Sequence, residues 1–179
     1  MLSLNNTFLV LIDVQGNLAN IQYEKEALFD NLERLIKGMQ VLGVPIVVTE
    51  QNPKGLGPTI SQLAQLLTGV QPIPKFSFSA CGEKQFMQEI QKLNRKQALI
   101  TGIETQVCVY QTAMDLLALG YEVQIVADCV SSRAARNRDI ALQRLQREGA
   151  KLTCTEMVLF ELLKGAEGAR FKEILKIVK

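Results

Sequence analysis

Phe8-Leu9-Val10-Leu11-Ile12-Asp13 is an unalternating apolar run that ends in a carboxylate, the pattern of a strand covered on both faces, as parallel strands are. Working outward from it, apolar residues recur at helical spacing from Glu26 to Leu42, and Gly43 follows as a C-cap. Val44-Pro45-Ile46-Val47-Val48-Thr49 reads as a second buried strand with its proline near the start. A breaker-rich loop from Gln51 to Pro58 leads to a short helical stretch near Thr59 to Leu67, and a weaker extended piece runs from Ile73 to Phe78. The alternation then continues with a helix over Lys84 to Leu93, a strand over Gln97 to Gly102 and a helix from about Gln106 to Leu119. A strand over Glu122 to Ala127, a helix over Ser132 to Glu148 and a strand over Lys151 to Thr155 follow, with terminal helices at Glu156 to Leu163 and Ala169 to Val178.

Strands separated by helices imply right-handed crossovers and a parallel sheet with helices on both faces. The expectation is an α/β fold: a three-layer α/β/α arrangement around a six-stranded, parallel, doubly wound, Rossmann-like sheet. In the order 3-2-1-4-5-6 the first and fourth strands lie side by side at the switch point, where ligands settle beyond the carboxyl ends. Asp13 and the segment leading to Cys108 would meet there. The chain has 179 residues and carries no repeat or linker, so residues 1–179 read as one domain.

Composition narrows the function. Apolar residues make up 47% of the chain against 21% charged, which suits a packed globule. Twenty Lys and Arg against eighteen Asp and Glu leave a net charge of +2, too balanced for a dedicated nucleic-acid binder, so a small-molecule substrate is the expected partner. The chain has no histidine, which removes Ser-His-Asp and Cys-His catalysis, His-ligated metals and the usual neutral-pH proton shuttle together. The four cysteines, Cys81, Cys108, Cys129 and Cys154, form no Cys-x-x-Cys pair, and Met1 to Asn6 is not the charged start of a cleavable leader. Free thiols in a cytoplasmic protein are expected. No apolar run approaches the roughly 20 residues that cross a bilayer, so no membrane span is expected. Neither a metal nor another cofactor is expected.

Asp13, directly after a strand, either caps the following turn or projects into a site at the sheet's carboxyl edge. Cys108 falls in the first turn of a helix, where the helix end and a nearby ammonium lower a thiol's pKa and favour a nucleophilic thiolate. Packing is the commoner fate of a cysteine met in isolation, and it is the reading for Cys81, Cys129 and Cys154. Lys75, between Pro74 and Phe76-Ser77-Phe78, reads on its own as a solvated surface residue. Arg133, Arg136, Arg138, Arg144 and Arg147 form a basic helix interleaved with Asp139 and Glu148, an ordinary solvated face. Only its start, Ser131-Ser132-Arg133, has the makings of an anion site.

Taken together, Leu11-Ile12-Asp13-Val14-Gln15, the isolated Lys75 and Thr101-Gly102-Ile103-Glu104-Thr105-Gln106-Val107-Cys108-Val109 resemble the isochorismatase-like cysteine hydrolases. Thr49-Glu50-Gln51, Gly55 to Thr59, Ser131-Ser132-Arg133 and Phe171-Lys172-Glu173-Ile174 look closer still to the isochorismatase domain-containing proteins. The resemblance implies a catalytic triad of Asp13, Lys75 and Cys108 and reverses the bland readings of those residues. It also implies a non-proline cis peptide before Glu104, with the backbone N–H groups of Glu104 and Cys108 forming an oxyanion hole and the Glu104 side chain incidental. Gln51, Phe76, Phe78 and Tyr23 are candidates to line the substrate pocket, because their segments follow strands or flank Lys75.

Two departures from relatives refine the expectation. Nicotinamidases of this fold hold a metal through an Asp and histidines, a set this chain cannot supply, and true isochorismatases cleave a vinyl ether without a cysteine nucleophile. A chain that retains Cys108 is therefore expected to be an amidase-type hydrolase of a small amide or carbamoyl compound, working through a thioester acyl-enzyme. The alternatives are vinyl ether hydrolysis with Asp13 acting alone as acid, or a non-catalytic oligomeric interaction protein on the same fold. The resemblance and apolar patches on the terminal helices imply a homo-oligomer.

Overall fold

Residues Thr7–Ile12 form strand β1, and its six side chains are all buried because they alternate between two separate cores. Leu9 and Leu11 face one apolar cluster, while Phe8, Val10 and Ile12 face the other. Burial of each large side chain is worth about 1.5–3 kcal/mol relative to exposure, so this one strand anchors both layers. The computed structural model describes residues 1–179. After β1 come α1 (Gly16–Asn20), α2 (Lys25–Leu42), β2 (Ile46–Gln51), α3 (Pro53–Leu56), α4 (Ser61–Ala64) and β3 (Ile73–Lys75). The second half holds α5 (Lys84–Leu93), β4 (Gln97–Ile103), a π-helical turn (Thr105–Val109), α6 (Tyr110–Ala118), β5 (Glu122–Ser131), α7 (Ala135–Arg147), β6 (Lys151–Thr153), α8 (Thr155–Leu163) and α9 (Gly168–Val178).

All strand pairs are parallel and the order is β3-β2-β1-β4-β5-β6, the doubly wound arrangement expected from the alternation. Helices α2, α8 and α9 bury Leu32, Ile36, Leu159 and Ile174 on one face, and α5, α6 and α7 bury Phe86, Ile90, Leu116 and Leu145 on the other. Helix α2 stops where expected. Gly43 takes a left-handed φ of 70°, its N–H donates to Gln40, and the Val44 N–H reaches back to Met39, a Schellman closure.

Three elements depart from expectation near the sheet's carboxyl edge. Strand β5 continues past Ala127 to Ser131, because the β4–β5 register shifts between Ile100 and Gly102 and re-aims the strand end. Helix α7 begins only at Ala135, since Ser132 and Arg133 are engaged elsewhere, as described below. Strand β3 is only three residues long and lies at the sheet edge, where Pro72 and Pro74 are tolerated. On the β4 side of the switch point, Gly102 has φ 110° and a Cβ there would lie 2.0 Å from the Ile12 carbonyl oxygen, so no side chain fits between β1 and β4. The terminal helix α9 spends its apolar side on the core through Ile174, Ile177 and Val178. The apolar side of α9 is therefore largely covered by the fold itself, while Met157 on α8 stays exposed. No helix is long and apolar enough to cross a membrane.

Candidate active site

Asp13 follows β1 directly and adopts a left-handed φ of 53°, a conformation uncommon for a residue with a side chain and one that recurs at functional sites. Its amide donates to the Thr49 carbonyl at 3.2 Å, and its Oδ1 accepts from the Thr49 hydroxyl at 2.8 Å. Thr49 stands beside Ile12 in the β1–β2 register, so the parallel pairing itself delivers this partner. Lys75 ends β3, two strands away, and its Nζ lies 2.8 Å from Asp13 Oδ2. Far from being a solvated surface lysine, it is 0% exposed, with Asp13 at 1% and Cys108 at 7%.

The ammonium is lodged there because oxygen atoms replace its water. Lys75 Nζ donates to Gln51 Oε1 at 2.6 Å, Phe78 O at 2.9 Å and Ser77 O at 3.1 Å. Asp13 Oδ2 lies close enough for the full charge attraction, yet it receives no formed hydrogen bond.

Cys108 sits in the π-helical turn rather than in the first turn of a regular helix. Its thiol lies near both charged groups, but the pKa moves opposite to the expectation from helix end and ammonium. Burial pushes it up to about 12, the Asp13 charge adds to the rise, and Lys75 offsets only part of it. The resting sulfur is a protonated thiol. Burial likewise raises Cys81 to about 11 and holds Cys129 well above the ordinary thiol value.

A pH prediction follows from these signs. Below the unfolded thiol value near 8.5 the stabilisation from these buried neutral thiols is fully present. As pH rises toward the folded values, the unfolded chain sheds protons that the folded chain keeps. Stability should fall by up to ~1.4 kcal/mol per pH unit for each of Cys108 and Cys129, and by less for the more open Cys81. Denaturant midpoints measured across the alkaline range should drop, and Cys129→Ala should flatten the slope. A midpoint indifferent to alkaline pH contradicts these assignments.

The Ile103–Glu104 peptide is cis. The amides on either side of Cys108, those of Val107 and Val109, are committed to the Glu104 carbonyl at 3.0 and 3.3 Å. The Glu104 side chain is not incidental. Its carboxylate accepts from the Arg133 amide at 3.0 Å, Nε at 2.9 Å and Nη2 at 3.3 Å, joining the end of β4 to the end of β5. Burial alone would raise the Glu104 pKa, but the Arg133 hydrogen bonds and charge outweigh it and hold the carboxyl below its usual range. Ser132 Oγ donates to Gln106 at 2.5 Å, so the start of the basic helix is spent on this loop instead of standing open for an anion.

The remaining candidates divide. Gln51 reaches Lys75 directly. Phe76 and Phe78 contribute backbone carbonyls, while the residues themselves are 73% and 55% exposed. Tyr23 points elsewhere: its ring lies 5.7 Å from the Arg138 guanidinium, beside a cavity of about 330 Å³ that none of Asp13, Lys75 and Cys108 lines. Thr49, Gln15 and the Glu104 carboxylate are site residues that pattern reading passed over. The signals available were a hydroxyl or amide at the end of an apolar strand and membership of the motifs that carry the family resemblance. No three His, Cys, Asp or Glu side chains come together as a ligand set, and all four cysteines are free.

With this geometry in view, similarity to known proteins becomes informative. Residues 7–157 match the isochorismatase domain model. The chain is 39% identical to isochorismatase domain-containing protein 2 of Danio rerio over 99% of its own length and 89% of the relative's. It is 43% identical to isochorismatase domain-containing protein 1 of the same organism over 82% of its length, but spans only 52% of that longer relative. A solved structure described as the MAR1 ribonuclease of Caenorhabditis elegans superposes with a TM-score of 0.93 at 33% identity, covering 99% of this chain and 91% of the other. With the matching domain, the sheet order and these relatives in agreement, the chain belongs to the isochorismatase domain family of hydrolases.

Proposed function

We propose that the chain is a cysteine-dependent amidase that hydrolyses the C–N bond of a small, uncharged amide or carbamoyl compound. The observation that carries this reading is Asp13 Oδ2: buried, next to a positive charge, near a protonated thiol, and without a hydrogen-bond donor of its own. An oxygen so placed is a general base for Cys108. The thiol proton passes to Asp13 as sulfur bonds to the carbonyl carbon, and the carbonyl oxygen takes the negative charge. Backbone N–H groups of Glu104 and Cys108 stabilise that oxygen, and Lys75 stabilises the reacting cluster. When the C–N bond breaks, Asp13 returns the proton to the leaving amine. Water then gives a proton to Asp13 as its oxygen attacks the thioester, and the sulfur leaves and recovers its proton.

Charge balance supports an uncharged substrate. Lys75 is matched by Asp13 and Arg133 by Glu104, so neither cation is free to neutralise an incoming carboxylate. The near balance of charge over the whole chain, a net +2, favours a small molecule over nucleic acid. We read residues 1–179 as one cytoplasmic domain without a cofactor. Exposed Ile21, Leu56, Phe76 and Phe78, all in the segments that follow strands β1 to β3, favour a homo-oligomer built around this rim.

Intact-mass analysis after mixing the protein with paired neutral and anionic small amides tests the reading. An acyl adduct on Cys108, with the neutral member of each pair favoured, is expected. Adducts drawn mainly from the anionic members overturn the substrate class, and cleavage of RNA without any adduct overturns the reaction.

A further inference from the structure

Both ends of the Gln51 amide are used inside the protein. Oε1 accepts from Lys75 at 2.6 Å and Nε2 donates to the Phe76 carbonyl at 3.0 Å. These partners fix the amide's orientation, since a flipped amide would set N–H groups against an ammonium and an oxygen against a carbonyl. The Gln51 backbone is held as firmly. Its N–H donates to Gln15 Oε1 at 2.6 Å, while Gln15 Nε2 donates to the Gln51 carbonyl at 3.2 Å and to the Gly57 carbonyl at 2.6 Å. Gln51 also stands opposite Lys75 in the β2–β3 register. Each end of the amide is thereby committed to the protein through one hydrogen bond.

An ammonium has three protons, and Lys75 directs them at Gln51, Ser77 and Phe78. Two of those acceptors are carbonyls of the loop that Lys75 itself begins. Gln51 is the acceptor supplied by a different strand. We propose that Gln51 is a positioning residue: by holding one ammonium proton, it keeps Lys75 from donating to Asp13 Oδ2. The carboxylate then keeps a neighbouring positive charge and also a lone pair available to take the Cys108 proton. A direct ammonium hydrogen bond would favour the charged form of the carboxylate and weaken it as a base. This inference rests on Asp13 acting as the base. The charged groups that bear on the thiol are Asp13 after β1 and Lys75 at the end of β3, while Glu104 after β4 closes on Arg133.

The test is the pH profile of Cys108 alkylation by chloroacetamide, with the modified residue assigned by peptide mass. The wild-type rate should show a pH-independent neutral limb, carried by proton transfer to Asp13, and an alkaline limb rising as the thiol ionises directly toward about 12. In Gln51→Met the neutral limb should fall about tenfold while the alkaline limb is kept. Gln51→Asn, too short to reach Lys75 and still polar, should give the same change of shape and serves if the methionine variant folds poorly. A residue that only braced the fold would lower the melting temperature without altering the ratio of the limbs. An unaltered ratio in both variants overturns the positioning role. Amide hydrolysis by the wild type is scored separately: its absence with the limbs shifted sinks only the hydrolase reading, and unshifted limbs in an active enzyme sink only Gln51.

Discussion

Cys108→Ala is expected to abolish the acyl adduct and lower amide hydrolysis by at least roughly 10⁴-fold, because no other nucleophile stands at the site. Asp13→Asn should cost a similar factor for a different reason: the thiol is protonated at rest, and without a base its proton has nowhere to go. The two variants part company in stability. Removing a sulfur from a position 7% exposed costs about 1 kcal/mol, whereas Asp13→Asn strands the buried Lys75 without its counter-charge. Steady-state rates with an identified amide, read beside denaturant melts, separate these effects. Hydrolysis of an offered vinyl ether that survives Cys108→Ala but not Asp13→Asn would transfer the chemistry to Asp13 acting as an acid. A wild-type chain that turns over none of the offered amides and forms no adduct would leave the fold as an interaction scaffold.

The sheet was legible in the sequence because its determinants are local. Phe8 to Ile12, Val44 to Val48 and Gln97 to Gly102 are short apolar runs between helical patterns, and right-handed crossovers then leave few orders to choose among. The position of Asp13 beyond the end of β1 followed from that topology. Burial of Lys75 did not, since it depends on Gln51 from the neighbouring strand and on carbonyls at Ser77 and Phe78 that a flanking sequence cannot orient. The sign of the Cys108 shift was missed for a related reason. Helix-end and ammonium effects are visible as sequence neighbours, but desolvation by the surrounding core is not, and here it is the larger effect. Glu104 shows the same gap at longer range. Its partner Arg133 lies 29 positions away, at the end of a β5 strand whose bulge no period-2 pattern reveals.

Replacing Lys75 should produce the largest change in stability. Lys75→Met keeps the volume of the stem but leaves the Asp13 carboxylate buried and uncompensated, and leaves Gln51 Oε1 and two carbonyls without their donor. Breaking a buried pair from one side typically costs about 3–5 kcal/mol, a large share of the 5–15 kcal/mol that holds a domain of this kind together. Much of that cost is the stranded charge rather than the worth of the pair, so the double variant Asp13→Asn/Lys75→Met should recover most of it. A double-mutant cycle from urea denaturation checks this through the coupling energy, expected at about 2 kcal/mol or more in favour of the double variant. Activity should stay absent in both. If the costs of the two single variants simply add in the double variant, the 2.8 Å approach of ammonium to carboxylate carries no energetic coupling, and the base would have to be held in place by Thr49 alone. Recovery of stability without recovery of turnover, by contrast, would mean that the charged pair is kept for its chemistry, since an uncharged pair could serve the fold as well.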